Sequence, residues 1–196
     1  MKYLNIFAFI LLFSLCLSCG NNPVPKPDAY LRLDYPEAEY QETNLNVPFT
    51  FEKNKLAENV VLKPVRGTEG YGINLEYPSL KGTIYLTYKP IENSVEHLKT
   101  LLRDAQSFTQ EHTLKADEII EQIYENKKHK VYGMFYEVGG NAASQSQFYV
   151  TDSVNHFLTG SLYFYAKPNY DSILPAAYYL QKDIQHIMET VQWKHQ

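Results

Sequence analysis

The chain has 196 residues, of which 44% are hydrophobic and 20% charged, and its formal net charge is −4. This length fits one domain with or without a tail, and this composition excludes global disorder. A mildly acidic chain also lacks the basic surface that nucleic-acid binding requires.

The first twenty residues resemble the leader of an exported bacterial lipoprotein. Lys2 precedes an uncharged, almost wholly apolar run, Ile6–Leu17. That run is shorter than the about 20 residues needed to cross a bilayer, and it fits the apolar region of a signal peptide. A small residue then precedes Cys19, as in a lipobox, where the Cys receives a diacylglycerol and becomes the new N-terminus. Cys16 stands where lipoboxes prefer Leu, and an ordinary signal peptide with incidental cysteines is the alternative.

The leader divides the chain into three expected segments. These are a signal peptide over residues 1–18, the lipidated Cys19 with a proline-rich tether over 19–29, and a single domain over 30–196. The chain has two cysteines, both in the leader region, so the mature domain would hold no disulfide and no cysteine-based site. Two or three acyl chains on Cys19 would anchor it stably. No acidic run follows Cys19, which favours a periplasm-facing domain over export to the cell surface.

The first half of the domain reads mainly as strands. Alternating residues before Pro36 indicate a short strand within 30–40, and 47–51 and 60–65 are short apolar stretches. Residues 71–77 and 83–89 alternate with period two around the turn 78–82, which predicts a hairpin. In the hairpin we expect two inward rows, Tyr71, Ile73, Leu75, Tyr77 and Ile84, Leu86, Tyr88, and an outward row, Thr83, Tyr85, Thr87.

A helix is predicted next. Apolar residues from Val95 to Phe108 recur at spacings of three and four, so one face should be buried. Ser94 is the expected N-cap. The following segment, 117–125, fits a helix or a strand. We favour a strand, because 126–130 has the composition of a hairpin turn.

The second half then returns to strands. Strands are predicted at 131–138, 147–151 and 157–165, with a break at Gly139–Asn141 and a turn at 152–156. A final helix follows, with Pro175 in its first turn and Asp171 or Ser172 as its cap. Its apolar stripe is Ala177, Leu180, Ile184, Ile187, Met188 and Val191, and Trp193 should pack beside it.

This order of elements indicates an α+β fold. Strands joined by short turns pair in antiparallel fashion, because a parallel pair needs a long crossover. We therefore expect a single domain in which an antiparallel β-sheet is covered by two helices. The order is similar to that of PsbP/Mog1-like domains, a likeness of fold that carries no function.

Catalytic motifs are absent from the mature sequence. It has no glycine-rich phosphate loop, no HExxH, no CxxC and no GxSxG, and its histidines lack ligand-like spacing. We expect no cofactor, no metal and no enzymatic activity. The alternative is an envelope hydrolase or small-ligand binder that uses the polar loop 141–147, including Ser144, with Asp152 and His156. Against it, a strand of about 17 Å would separate Ser144 from His156.

Tyrosines are unusually frequent, 17 in all. Half-exposed sheet positions would explain those in predicted strands, and a partner-binding surface would explain them equally well. The tyrosines concerned are Tyr85, Tyr132, Tyr136, Tyr149, Tyr163 and Tyr165.

Four blocks of the sequence together have the pattern of a known family. They are PKPDAYLRLDYPEAEY (25–40), VYGMFYEVGGNAASQSQFYVTDS (131–153), GSLYFYAKPNYDS (160–172) and the terminal helix ending at Trp193. In this order they resemble the gliding motility lipoprotein GldD family of Bacteroidetes. Ala29 departs from the pattern, where a Gly is expected. The resemblance implies a lipoprotein with fatty acids such as palmitate on Cys19, located in the cell envelope. It also implies a role in gliding motility and type IX secretion, with no known catalytic activity.

The resemblance and the missing catalytic set together favour a docking or stabilising component. It would contact protein components of the gliding and secretion machinery, and it would reach the membrane through its lipid. Partner contacts are expected close to the membrane, at Tyr30, Arg32, Tyr35 and Tyr40.

Overall fold

The computed structural model describes residues 34–112, 116–140, 142–165 and 170–194, with the side chains of 108–112, 116–117 and 170–172 left out. The signal peptide, Cys19, the tether, Tyr30 and Arg32 lie outside the described residues. Most of the strand expected within 30–40 also lies outside the described residues. In the part that is described, from residue 34 onward, only Tyr40 belongs to a strand.

The described residues form an α+β domain built on one large antiparallel sheet, as predicted. Seven strands follow the order β4-β5-β6-β10-β9-β8-β7. Two small sheets join β1 to β3 and β2 to β11. The strands are β1 (Tyr40–Glu42), β2 (Phe49–Thr50), β3 (Glu52–Asn54), β4 (Asn59–Pro64), β5 (Tyr71–Tyr77), β6 (Gly82–Pro90), β7 (Ala116–Asn126), β8 (Val131–Gly140), β9 (Ser144–Thr151), β10 (His156–Phe164) and β11 (Gln192–Trp193); the helices are α1 (Val95–His112) and α2 (Tyr170–Thr190).

The predicted hairpin is confirmed as β5–β6, closed by a short 3₁₀ turn at Pro78–Leu80. Its inward positions are buried, apart from the partly buried Tyr71, because side chains alternate between the faces of a strand and one face meets the core. Thr83 departs from the expected pattern. It was expected to face outward, but it is fully buried and its hydroxyl is hydrogen-bonded to that of Tyr165.

Helix α2 covers one face of the sheet. Its predicted stripe is buried throughout, from Ala177 to Val191, and it forms the main core with the strands. The predicted N-terminus is wrong. The helix begins at Tyr170, so Pro175 lies inside it and neither Asp171 nor Ser172 is the cap. Proline at this position removes one intrahelical hydrogen bond.

Helix α1 lies on the opposite face. The predicted cap is confirmed, since the backbone N–H of His97 donates to Ser94 Oγ at 3.1 Å. The expected buried face is only partly formed. Leu101 is buried against a small cluster with Phe157, but Val95 is 68% exposed. This face of the sheet is therefore covered less completely than the face under α2.

The segment 117–125 is a strand, β7, as favoured over a helix, and it turns into β8 as predicted. The prediction of a polar loop over 141–147 is wrong. β9 begins at Ser144 and lies between β8 and β10, where Ser144, Gln145, Ser146 and Gln147 are all buried. These residues are polar, but their position inside the sheet satisfies the backbone and overrides the loop-like composition.

Trp193 packs at the end of α2, as predicted. It lies in β11, which pairs with β2, and its ring contacts Phe49 edge to face at 6.1 Å. Within the described part of the chain, no helix is both long and apolar enough to cross a membrane.

Candidate functional site

A groove lined by tyrosines runs between α1 and the open face of the sheet. We define the tyrosine groove by Tyr85, Tyr136, Tyr149 and Tyr163. Its cavity has a volume of about 300 Å³. Four adjacent strands, β6, β10, β9 and β8, each contribute one of these tyrosines, and α1 closes one side with Leu101, Asp104 and Ala105.

The groove follows from strand alternation. Positions opposite the buried rows of β6, β8, β9 and β10 face α1, and the sequence places a tyrosine at one of them on each strand. The rings contact one another in pairs. Tyr85 and Tyr163 meet edge to face with ring centres 5.7 Å apart, and Tyr136 and Tyr149 are tilted at 6.4 Å.

The chemistry of the groove is that of neutral phenols. Burial raises the pKa of Tyr136 to about 12 and also raises the pKa of Tyr85, Tyr149 and Tyr163. At neutral pH these side chains offer ring faces and hydroxyl groups that donate or accept hydrogen bonds. The arrangement is suited to binding, and none of these phenols would act as a base near pH 7.

A second, more polar cleft contains two residues of the hydrolase alternative. We define the His156 cleft by Tyr88, Asp152, His156, Trp193 and Lys130. Its cavity measures about 570 Å³. His156 is buried, stacks on Trp193 with ring centres 4.9 Å apart, and its Nδ1 lies 2.9 Å from Tyr88 Oη.

The carboxylate of Asp152 in this cleft is hydrogen-bonded to the backbone of the turn that follows it. Its Oδ1 accepts backbone N–H bonds from Val154, Asn155 and His156 at 3.0, 2.8 and 2.8 Å. Burial lowers the pKa of His156, and Asp152 offsets this only in part. His156 is therefore neutral at pH 7. The carboxylate stabilises the hairpin turn and does not hold the imidazole as a triad acid would.

The structure does not bring the proposed triad together. Ser144 begins β9 and is paired with Tyr163, whereas His156 begins β10 at the other end of that hairpin. Ser144 Oγ is buried and donates to the carbonyl oxygen of Ser146 at 3.2 Å. The eight residues of β9 span about 25 Å, so the hydrolase alternative is wrong in its geometry. Among the described residues no group of His, Cys, Asp or Glu could hold a metal ion.

The two described members of the expected partner surface, Tyr35 and Tyr40, are half-buried against α2. Tyr35 packs on Tyr179 with ring centres 5.2 Å apart. Tyr40 stacks on His186 at 3.6 Å and donates to Asp183 Oδ1 at 2.8 Å. Both rings thus have intramolecular contacts on one side and remain partly accessible on the other.

Asp183 is the centre of a buried network that the sequence reasoning missed. It is 1% exposed and accepts from Asn54 Nδ2 at 2.9 and 3.1 Å in addition to Tyr40. Burial raises its pKa, more than hydrogen bonds from Asn54 and Tyr40 lower it. The signal was available, because Asp183 falls on the apolar stripe of α2, three residues after Leu180.

Comparison with known proteins gives one match. A protein-family model described as gliding motility lipoprotein GldD matches residues 20–193. No curated protein and no solved structure matches the chain, so the likeness to PsbP/Mog1-like domains stays a prediction.

Proposed function

The chain belongs to the gliding motility lipoprotein GldD family, and from this we propose that it acts in the cell envelope as a docking component. It would support gliding motility, and the type IX secretion associated with it, by contacting other proteins rather than by catalysis. The family match, which covers almost the whole chain after Cys19, is the observation that carries this proposal.

The lipid anchor is the first part of the proposal. Cys19 would carry the acyl chains after removal of residues 1–18, and residues 19–29 would tether a periplasm-facing domain over 30–196. The apolar run Ile6–Leu17 and the small residue before Cys19 support this processing. Labelling cells with a radioactive fatty acid tests it. The wild-type chain should be labelled and C19A should not, while C16A, the matched control, should keep the label.

Contact rather than catalysis is the second part. The neutral tyrosine groove and the separation of Ser144 from His156 both favour it. Tyr35 and Tyr40, with Tyr30 and Arg32 before them, are our proposed contacts near the membrane. The half-buried rings of Tyr35 and Tyr40 would add apolar area to an interface at little cost in conformational entropy.

Deletion of the gene in a gliding host tests the motility role. We expect colonies that no longer spread and a lower amount of secreted type IX substrates, with both restored by the wild-type gene on a plasmid. Normal spreading and secretion in the deletion strain would refute the proposal for that host.

A triple variant tests the absence of catalysis. S144A, D152N and H156Q remove every group of the former triad while keeping side-chain size close to the original. We expect spreading to be restored when the variant is present at the wild-type level and resists protease to the same degree. Lost spreading in a variant of normal amount and protease resistance would favour chemistry at these residues.

A further inference from the structure

Strand β7 forms one edge of the seven-stranded sheet. It pairs with β8 on one side, and among the described residues no strand pairs with its other side. The strand has 11 residues, or about 36 Å of backbone. It is held on the domain, because Gln122 Nε2 donates to Glu137 Oε1 at 2.6 Å and Tyr124 Oη donates to the carbonyl oxygen of Glu189 at 3.0 Å.

The two edges of the sheet differ in their protection. The opposite edge, β4, has six residues and carries Lys63 and Pro64, which are residues that block pairing with another chain. β7 carries neither Lys nor Pro. It exposes two isoleucines, Ile120 at 44% and Ile123 at 85%, on opposite faces of the strand. A long, partly apolar edge without Lys or Pro can accept an added strand whose charges complement its own.

The charge of β7 indicates the kind of strand that would fit. It holds four acidic residues and no basic residue. Glu125 has a neighbour in Lys127 at 3.6 Å, but no described cation lies within salt-bridge distance of Glu118 or Glu121. Glu121 and Glu125 lie on one face of the strand and Glu118 on the other, because side chains alternate. A partner strand in which apolar residues alternate with Lys or Arg would therefore gain cross-strand charge pairs with Glu121 and Glu125.

The same charges act against pairing with a second copy. If two β7 strands paired in antiparallel fashion about Glu121, Asp117 of one copy would stand opposite Glu125 of the other. Like charges directly opposite each other destabilise a strand pair. The pattern therefore favours a different, basic partner.

We propose that β7 is a docking edge to which a partner protein adds an extended segment as an eighth strand. In that segment apolar residues alternate with Lys or Arg. Backbone hydrogen bonds supply the affinity, and the acidic side chains select the basic segment. This inference rests on the docking function proposed above and specifies its surface.

The test uses full-length lipoprotein purified in detergent and three synthetic eight-residue peptides. The first alternates Lys and Val, the second alternates Glu and Val, and the third repeats the first with alternate backbone nitrogens methylated. We expect the first peptide to bind and to slow amide hydrogen exchange in β7 but not in β4. We expect the second and third to bind at least about tenfold more weakly, because one lacks charge complementarity and the other lacks donors.

Two protein variants separate the edge from general electrostatics. E121K combined with E125K, two exposed positions on the same face of β7, should weaken the Lys–Val peptide about tenfold and strengthen the Glu–Val peptide. K63E on the β4 edge is the matched control and should change neither affinity appreciably. Both variants lie on exposed edge positions, so folding should be retained, as hydrogen exchange in β10 will show.

Several results would overturn the inference. These are failure of the Lys–Val peptide to bind at millimolar concentration, equal binding of all three peptides, protection outside β7, or concentration-dependent dimerisation that protects β7 without peptide. None of these results would change the outcome expected for the gene-deletion experiment. A strain that stops spreading on deletion, combined with a failed peptide test, would keep the docking function and reject this surface.

Discussion

Replacing Asp183 by Ala would remove the acceptor that joins α2 to the N-terminal strands β1 and β3. Asp183 accepts from Tyr40 Oη at 2.8 Å and from Asn54 Nδ2 at 2.9 and 3.1 Å. Asn54 Nδ2 also donates to Tyr179 Oη at 3.1 Å. In D183A, two donors on segments more than one hundred residues away lose their common partner.

The expected loss follows from these two donors. A buried donor left without a partner costs about 1–3 kcal/mol, so two cost about 2–6 kcal/mol. Two effects reduce the sum. Tyr40 is only half-buried, which lowers the cost of its unpaired hydroxyl, and the raised pKa of Asp183 indicates that burying its ionised form is itself unfavourable. We therefore expect the free energy of unfolding to fall by about 2–3 kcal/mol at pH 7.

The deficit should grow on acidification. Burial raises the pKa of Asp183 above its ordinary value of 3.8, so the folded protein binds this proton more tightly than the unfolded chain does. This proton-linked stabilisation adds to that of the hydrogen bonds; it is full below pH 3.8 and is lost as the pH rises through the folded-state pKa. D183A lacks this contribution, so it should fall further below the wild type at pH 4 than at pH 7.

Urea unfolding, followed by the fluorescence of the single tryptophan, Trp193, measures both effects. K182A is the matched control, because Lys182 is the exposed neighbour on the same helix and should change stability by less than about 0.5 kcal/mol. A D183A protein within about 0.5 kcal/mol of the wild type at both pH values would refute the reasoning.

Two further predictions concern the sheet and its turn. Wild-type stability should fall as the pH drops below about 6.5, because burial lowers the pKa of His156 and the unfolded chain takes up the proton first. Thermal unfolding at pH 5 and pH 7 measures this fall, which should be smaller in H156Q. An equal fall in the wild type and in H156Q would contradict the prediction. G133A should lose about 2–3 kcal/mol, because a Cβ there would lie 1.9 Å from the carbonyl oxygen of Tyr149 in the next strand. G72A, whose Cβ would meet only Lys63 O at 3.8 Å, should change stability by less than about 1 kcal/mol; similar losses in both glycine variants would contradict the explanation.

Elements with a strong local period were predictable from the sequence. The β5–β6 hairpin and the α2 stripe each repeat their apolar residues over many positions, so one local pattern determines both the element and its buried face. The start of α2 was missed, because Pro175 favours a first turn and the helix nevertheless extends five residues before it.

The predictions that were wrong concern parts of the structure that depend on contacts between residues distant in sequence. The polar run that begins at Ser144 has the composition of a loop, and only its position between β8 and β10 makes it a strand. Likewise, nothing local to Tyr40 shows that it meets Asp183, 143 residues away. The tyrosine groove was predictable only in part. The sequence assigned its tyrosines to strands, but only the order of the strands in the sheet shows that they lie side by side.

The central claim is that the protein acts by contact while it is anchored to the membrane. The most direct test is whether the C19A chain restores colony spreading in a deletion strain. In this test the C19A chain is exported by a cleavable signal peptide, and it should reach the wild-type amount and be recovered folded in the soluble fraction. We predict that this soluble domain fails to restore spreading, whereas the wild-type lipoprotein at the same amount restores it. Full spreading supported by the soluble, unlipidated domain would contradict the account.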